Sequence, residues 1–317
     1  MNVFIDFYLC KKKLKSTFES ASGILKEKNI LILTFRRQEE IEFAFELPLS
    51  PSMGEMITDV LDQAKAGKHS KYLQIAISYF KALIVEKRSI PLNKNLANAI
   101  NVTTYGIGSN SQLQFNAEEV IRLKASPNTI EEIIAFSHST KNKFIVDFNQ
   151  SLSLELFQDF SDRVSSRQLL YVEQPLVKNE IVPSSKFPVW ADESISYYQS
   201  LEQILERGYT GFVLKPLHYE FDKLVEIVAA ANTLKVPCII GGVISDSLHA
   251  CFLDVFQSAT SLKVKNLDQS FEGDLEPGLS SENPYKLSFN NELIFDKRGI
   301  EQLYNQYEKI YSMKIEV

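Results

Sequence analysis

Val120-Ile-Arg-Leu-Lys124, Phe144-Ile-Val-Asp147, Leu170-Tyr-Val-Glu173, Pro188-Val-Trp-Ala-Asp192 and Gly211-Phe-Val-Leu-Lys215 are five short apolar runs, each ending in a charged residue. The charged ends follow one another at intervals of roughly 19 to 26 residues, the length of one strand, one covering helix and two loops. Runs of four or five residues suit strands, and strands buried on both faces read as continuous apolar runs rather than alternating ones. The stretch therefore reads as parallel strands joined by crossovers. The charges lie at carboxyl ends, which in a closed barrel converge on one mouth, the usual place of an active site.

Working outward, residues 101–107 supply a first strand, 237–242 a seventh and 262–267 an eighth. Crossover helices are expected over 129–140, 153–164, 196–207, 220–234 and 246–258, where apolar residues recur at helical spacing. The link ahead of Val120 is too short for a covering helix, so the first unit is degenerate. Residues 98–284 thus read as an α/β barrel. Residues 1–97 differ: strand-like runs at 3–9, 30–35 and 41–47 suggest an antiparallel meander. Ser52 with Glu55 suggests a capping box ahead of a helix to Ala66, and a second helix is expected over 70–86. Residues 285–317 are expected to return to this smaller α+β domain, through a hairpin near Phe289 and a last helix over 298–313.

Composition excludes several classes. A chain of 317 residues with 44% hydrophobic content can bury a large core. A formal charge of -6 gives no electrostatic case for nucleic acid, and Lys11-Lys12-Lys13 reads as a solvated turn. No apolar run has membrane-spanning length and the N-terminus has no signal-peptide pattern. Cys10, Cys238 and Cys251 show no paired spacing, which fits a reducing compartment. The expectation is a cytoplasmic protein, a monomer or small homo-oligomer, that engages neither nucleic acid nor membrane.

Asp147, Glu173 and Asp192 end three successive strands, where their like charges raise one another's pKa. A divalent cation with hard oxygen preference relieves that repulsion, magnesium above all, with manganese as a substitute. Lys124 and Lys215 flank the trio by one strand on each side. Two ammonium groups beside a metal suit removal of a proton next to a carboxylate, with the metal taking up the charge of the enediolate. The partner implied is a small carboxylate substrate. A lone charged strand end is usually an ion-paired terminus; five in barrel order point to function. His69, His138, His218 and His249 lack metal-ligand spacing, although His218 and His249 follow the sixth and seventh strands. Gly241-Gly242 reads either as a place where backbone N–H groups meet a ligand carboxylate or as a plain turn.

The motifs resemble those of the enolase superfamily, in its muconate-lactonizing-like branch. They are Arg122-Leu-Lys124, Asp147-Phe-Asn149, Glu173-Gln-Pro175, Asp192-Glu-Ser194 and Lys215-Pro216. The resemblance implies a modified TIM barrel of (β/α)7β type under an N-terminal α+β capping domain. It implies Asp147, Glu173 and Asp192 as magnesium ligands, Lys124 and Lys215 as the acid/base pair, and Arg122, Asn149 and Glu193 as supporting groups. Gly241, Gly242 and Ser245 are the implied substrate contacts. Three features depart from the family pattern: Arg122 replaces the first lysine, Ser245 stands where relatives carry an acid, and the capping loop near Glu46 lacks the usual glycines. The Asp-Phe-Asn-Gln and Val-Glu-Gln-Pro-Leu runs most resemble o-succinylbenzoate synthases of menaquinone biosynthesis. That likeness implies a lyase that dehydrates 2-succinyl-6-hydroxy-2,4-cyclohexadiene-1-carboxylate by syn elimination, with Lys124 as base and Lys215 kept protonated. The alternatives are an N-acylamino acid racemase or dipeptide epimerase on the same lysines, or a barrel that binds without catalysis.

Overall fold

The computed structural model describes residues 2–20, 23–49, 56–90, 100–106, 120–197, 199–242, 247–257, 264–265, 285–287, 293–295 and 307–316. Its first sheet is the expected meander: β1 (Asn2–Ser20), β2 (Gly23–Arg37) and β3 (Glu40–Leu47) pair antiparallel. Val3, Ile5 and Phe7 are buried, on one face of β1 as period-two alternation requires. The strands are longer than their apolar runs. Lys11 to Lys13, expected as a turn, continue β1 opposite Asn29 to Glu27, because the hydrogen-bonded ladder carries polar residues past the core.

Two helices follow. In α1 (Ile57–Lys65) the Asp59 carboxylate accepts the Met56 N–H at 2.7 Å; Ser52 and Glu55 lie outside the described residues. In α2 (Lys71–Phe80) the Ser70 hydroxyl accepts the Leu73 N–H at 3.3 Å, and the helix runs on into a π-helical turn, Lys81–Val85.

The second sheet contains β4 (Ile100–Gly106), β5 (Val120–Lys124), β6 (Phe144–Asp147), β7 (Leu169–Glu173), β8 (Val189–Ala191), β9 (Gly211–Leu214), β10 (Cys238–Ile240) and β11 (Val264–Lys265). Its pairs are parallel, in the order β10-β9-β8-β7-β6-β5-β4-β11. The last strand of the series pairs with the first, the arrangement of a parallel sheet that curls round on itself. Covering helices are α3 (Ile130–Ser139), α4 (Leu154–Arg163), α5 (Leu201–Glu206), α6 (Phe221–Leu234) and α7 (Ser247–Gln257). The architecture is α/β: an antiparallel capping sheet beside a parallel barrel sheet. The helix expected over 196–207 is shorter, since Glu193–Ser196 forms a separate 3-10 turn and Ser200 caps a new helix.

Strand alternation sorts the side chains into two layers. Ile121, Leu123, Val146, Val172 and Leu214 join the large core that includes residues of the covering helices, whereas Val120, Ile145, Tyr171, Trp190, Val213 and Ile239 form a separate cluster. The second set fills the barrel interior. Two residues further along each strand, the same parity places Arg122, Asp147, Glu173, Asp192 and Lys215 above that cluster, with Lys124 beyond Arg122. Tyr171 and Trp190 stack at 3.9 Å between ring centroids and floor the site. Gly211 admits the indole: a Cβ there would lie 2.5 Å from Trp190 Cε2.

The capping elements touch the barrel near Lys215. The Tyr79 hydroxyl donates to the Pro216 carbonyl at 3.2 Å, and the Ser78 hydroxyl accepts the Phe221 N–H at 3.0 Å. Tyr79 also meets Phe45, Phe252 and Phe256 edge-on or stacked. In the tail, β12 (Tyr285–Leu287) and β13 (Leu293–Phe295) pair antiparallel. The helix expected over 298–313 is not what the described part forms: β14 (Glu308–Glu316) is a strand that pairs with β1. Tyr311, Met313 and Ile315 turn inward while Ser312, Lys314 and Glu316 are exposed, a period of two that a helix cannot satisfy. Among the described residues no helix is long and apolar enough to cross a membrane.

Candidate active site

The strand ends bring the expected charges together as interleaved acids and bases. Asp147 and Glu173 are fully buried and stand opposite each other in the β6–β7 register. One Arg122 nitrogen, Nη2, bridges them, 2.6 Å from Asp147 Oδ2 and 2.7 Å from Glu173 Oε1, while Arg122 Nε donates to Glu173 Oε2 at 3.2 Å. Lys124, level with Asp147 in the β5–β6 register, donates to Asp147 Oδ2 at 2.5 Å and to Asn149 Oδ1 at 2.9 Å. Asn149 in turn donates to Glu193 Oε1 at 3.3 Å and sits at φ 44, and its N–H caps Asp147 Oδ1 at 3.0 Å. Lys215 is buried and ion-paired to Asp192 Oδ2.

As they stand, no three His, Cys, Asp or Glu side chains among the described residues are gathered closely enough to hold a metal ion. The acids are spaced by cations: Arg122 lies between Asp147 and Glu173, and Lys215 takes one oxygen of Asp192. Even so, the acids outnumber the cations. Three buried carboxylates, Asp147, Glu173 and Asp192, and the half-buried Glu193 face the three cations. Asp192 Oδ1 and Glu193 Oε2 are buried with no hydrogen-bond partner. Burial pushes Glu173 up to about 8 against the pull of Arg122, with Asp147 and Asp192 adding to the rise. Burial and then Asp192 push Glu193 up to about 7. Asp147 goes the other way: burial opposes its ionisation, but Lys124 and Arg122 hold it well below the usual carboxylate range. Lys215 is desolvated, yet Asp192 and Glu193 keep its proton on more firmly than in water. Orphaned oxygens and crowded acids that resist ionisation are what a divalent oxygen-seeking cation relieves, so this donor set fits magnesium or manganese.

One hub escaped the sequence reading. Gln174, fully buried at φ 35, accepts the N–H groups of Asp192 and Ser194 on Oε1, both at 3.0 Å. Its Nε2 donates to the Leu176 carbonyl at 2.9 Å and to the Ser194 and Tyr209 hydroxyls at 2.8 Å. It therefore fixes the turn that carries Asp192 and Glu193. A glutamine directly after a strand-end acid was the available signal. Tyr171 was read only as part of an apolar run, yet its buried hydroxyl has no hydrogen-bond partner and its charged neighbours include Glu173, Arg122 and Asp147. The parity of β7, two residues below Glu173, was the clue.

The expected substrate contacts fare differently. Gly241 donates its N–H to the Leu214 carbonyl at 2.9 Å, and a Cβ there would meet Val213 Cγ1 at 2.4 Å. Its N–H is committed to the barrel ladder, and the absent side chain makes room beside the Lys215 stem. Gly242 follows, half-buried, and Ser245 lies outside the described residues. His218 lines a cavity of about 430 Å³ with Lys71, Tyr219 and Lys223, between the segments that follow β8 and β9.

No protein-family model matches the chain, and no curated protein is similar to it. Solved structures match it over nearly their whole length. A dipeptide epimerase from Cytophaga hutchinsonii, complexed with Mg and the dipeptide D-Ala-L-Val, is 15% identical at a TM-score of 0.66, with 100% of both chains covered. An N-succinyl Arg/Lys racemase from Bacillus cereus is 13% identical at a TM-score of 0.67, again with 100% of both covered. A member of the enolase superfamily from Listeria innocua is 17% identical at a TM-score of 0.65, covering 99% of this chain and 98% of that one. The chain shares the fold of these three structures.

Proposed function

We propose that the protein is a metal-dependent lyase that removes the proton alpha to a carboxylate and expels a hydroxyl group from the same face. Its substrate on this reading is 2-succinyl-6-hydroxy-2,4-cyclohexadiene-1-carboxylate and its product o-succinylbenzoate. The observation that carries it is the array of Lys124 and Lys215 on either side of three buried carboxylates, all aimed into one barrel mouth. Asp147, Glu173 and Asp192 would hold magnesium, and the unpartnered Asp192 Oδ1 supports that assignment. When bound, the metal supplies charge stabilisation for the substrate carboxylate as the alpha proton leaves.

The chain's own residues do the proton work. Lys124 takes the alpha proton and returns it to the departing hydroxyl, which leaves as water. Asn149 orients the Lys124 amine through the 2.9 Å hydrogen bond. Lys215, kept an ammonium by Asp192, faces the developing negative charge and lowers the barrier electrostatically. The stacked floor of Tyr171 and Trp190 keeps water from entering from below.

A second reading has its own support: the solved structures of this fold named above include a dipeptide epimerase and an N-succinyl amino acid racemase. In that case both lysines exchange protons. The two separate in one experiment, with purified protein in D2O and magnesium, given the cyclohexadiene carboxylate, a panel of dipeptides and N-succinyl amino acids. Appearance of o-succinylbenzoate is the expected result. Alpha-deuterium incorporation into an amino acid derivative, with the diene left intact, would replace the lyase by the epimerase.

A further inference from the structure

Arg122 stands where the family pattern has a lysine, and the structure gives that difference a consequence. A lysine ammonium is a point charge at the end of a flexible stem; a guanidinium is a planar fork that spans two carboxylates. Arg122 uses that fork fully, with Nη2 shared between Asp147 Oδ2 and Glu173 Oε1 and Nε on Glu173 Oε2. Both oxygens of Glu173 and one of Asp147 are thus engaged by a single side chain, in a pocket where the two acids are fully buried. These are the two acids that, with Asp192, would hold the metal. A divalent cation binds carboxylate oxygens at about 2.1 Å, closer than any hydrogen-bond donor can stand. The guanidinium bridges the two acids, so a cation entering between them meets both its bulk and its like charge.

We infer that Arg122 is an internal counter-cation, an occupant of the Asp147–Glu173 pair that a divalent metal must displace in order to bind. The inference rests on the reading of Asp147, Glu173 and Asp192 as the metal-holding set. In the metal-free protein Arg122 offsets the repulsion of two buried carboxylates and keeps the barrel mouth assembled. When metal binds, the guanidinium gives up these hydrogen bonds. Metal affinity is therefore set partly by the strength of the Arg122 contacts, and Arg122 is a positioning residue whose conformation depends on occupancy.

The test uses full-length protein and Mn2+ or Mg2+ alone. Mn2+ binding is followed by calorimetry and by quenching of Trp190, the single tryptophan, whose Cα is the β8 partner of Glu173. Arg122→Met should bind Mn2+ about tenfold more tightly than the wild type, and its metal-free melting temperature should fall while saturating Mn2+ restores more of it than in the wild type. Arg122→Lys should fall between the two in affinity. Should Arg122→Met not fold, the wild type alone decides: the Arg122 Nε–H, hydrogen-bonded and shielded, should give a resolved 1H–15N signal that shifts or disappears on saturation with Mg2+. Weaker Mn2+ binding in Arg122→Met or Arg122→Lys, or an Nε–H signal that stays put at saturation, overturns the inference and leaves the metal reading standing. Absence of Mn2+ binding in all three proteins at millimolar concentration overturns both.

Discussion

Replacing Gln174 by methionine removes a side chain that ties the residue after β7 to the turn bearing Asp192, and its hydrogen bonds set the size of the loss. The variant keeps length and apolar volume but none of the five hydrogen bonds. The Ser194 and Tyr209 hydroxyls still pair with each other at 3.1 Å. Three backbone groups have no such recourse: the N–H groups of Asp192 and Ser194 and the Leu176 carbonyl lose the partner that the glutamine supplied. A buried polar group left unsatisfied costs about 1–3 kcal/mol, and neighbouring backbone relaxes in part, so the expected destabilisation is about 3–6 kcal/mol. That is a large share of the roughly 5–15 kcal/mol that holds a typical protein folded.

Urea unfolding followed by Trp190 fluorescence measures this directly. Gln174→Glu is the control, because it retains an acceptor for the Asp192 and Ser194 N–H groups while losing the donors; its loss should be smaller. Mn2+ titration of the folded fraction reads the functional half: with the Asp192 turn loosened, affinity should drop in Gln174→Met well beyond the change in Gln174→Glu. A destabilisation under about 1 kcal/mol in Gln174→Met, below the usual cost of even one orphaned group, would falsify the hub role.

Three further outcomes are expected. Lys124→Ala should lower turnover at least about 10²-fold, the lower end of general-base contributions, while Mn2+ affinity in calorimetry stays within severalfold of the wild type; substantial residual dehydration removes Lys124 from the base role. Gly211→Ala drives a Cβ into the Trp190 ring, so a loss of about 1–3 kcal/mol in urea unfolding is expected, together with a shifted tryptophan spectrum; an unchanged midpoint would mean the indole has room to yield. Burial and then Lys215 push His218 down to about 4 from its ordinary 6.5. A histidine with a depressed folded pKa is neutral in the fold, so its contribution is whole above about pH 6.5 and is lost as pH falls toward 4. Partial exposure discounts the full shift to about 2 kcal/mol. His218→Asn should therefore lose less stability than the wild type between pH 7 and pH 4.5, and parallel curves for the two proteins would count against it.

The barrel was legible because its strands are buried on both faces and end in charges, so five runs, their spacing and their parity carried the fold together. The charged residues that fall on interior parity are the ones found at the mouth. The tail was misread for a reason of the same kind. Residues 308–316 carry Tyr311, Met313 and Ile315 at period two, but charged residues on both sides and a preceding helical-looking stretch masked the alternation. Its partner, β1, lies some three hundred residues away, and no local pattern announces a pairing at that distance. Gly241 was ambiguous for a different reason: whether a backbone N–H faces a ligand or a neighbouring strand depends on register, which the sequence of one strand does not contain. Gln174 stood in the Glu173-Gln-Pro175 motif, but its role as a hub was not legible, because a glutamine beside an acid looks like any solvated polar residue until its burial is known.

The two lysines are not equivalent, and the difference bears on which reaction the mouth can support. Lys215 is enclosed: it ends β9, its neighbours Asp192 and Glu193 favour the ammonium, and Tyr79 of the capping helix anchors the next residue, Pro216, by its carbonyl. Lys124 is more open, and it divides its hydrogen bonds between Asp147 and the neutral amide of Asn149. Its contact on Asp147, Oδ2, is shared with Arg122, and on the proposed reading that oxygen turns to the metal. Metal binding thus withdraws the carboxylate from Lys124, whereas Lys215 still has Glu193 close by. An epimerase needs both amines to give and to take a proton in alternation. A syn elimination needs one that does so and one that stays charged, and that is the asymmetry the surroundings of these two residues favour.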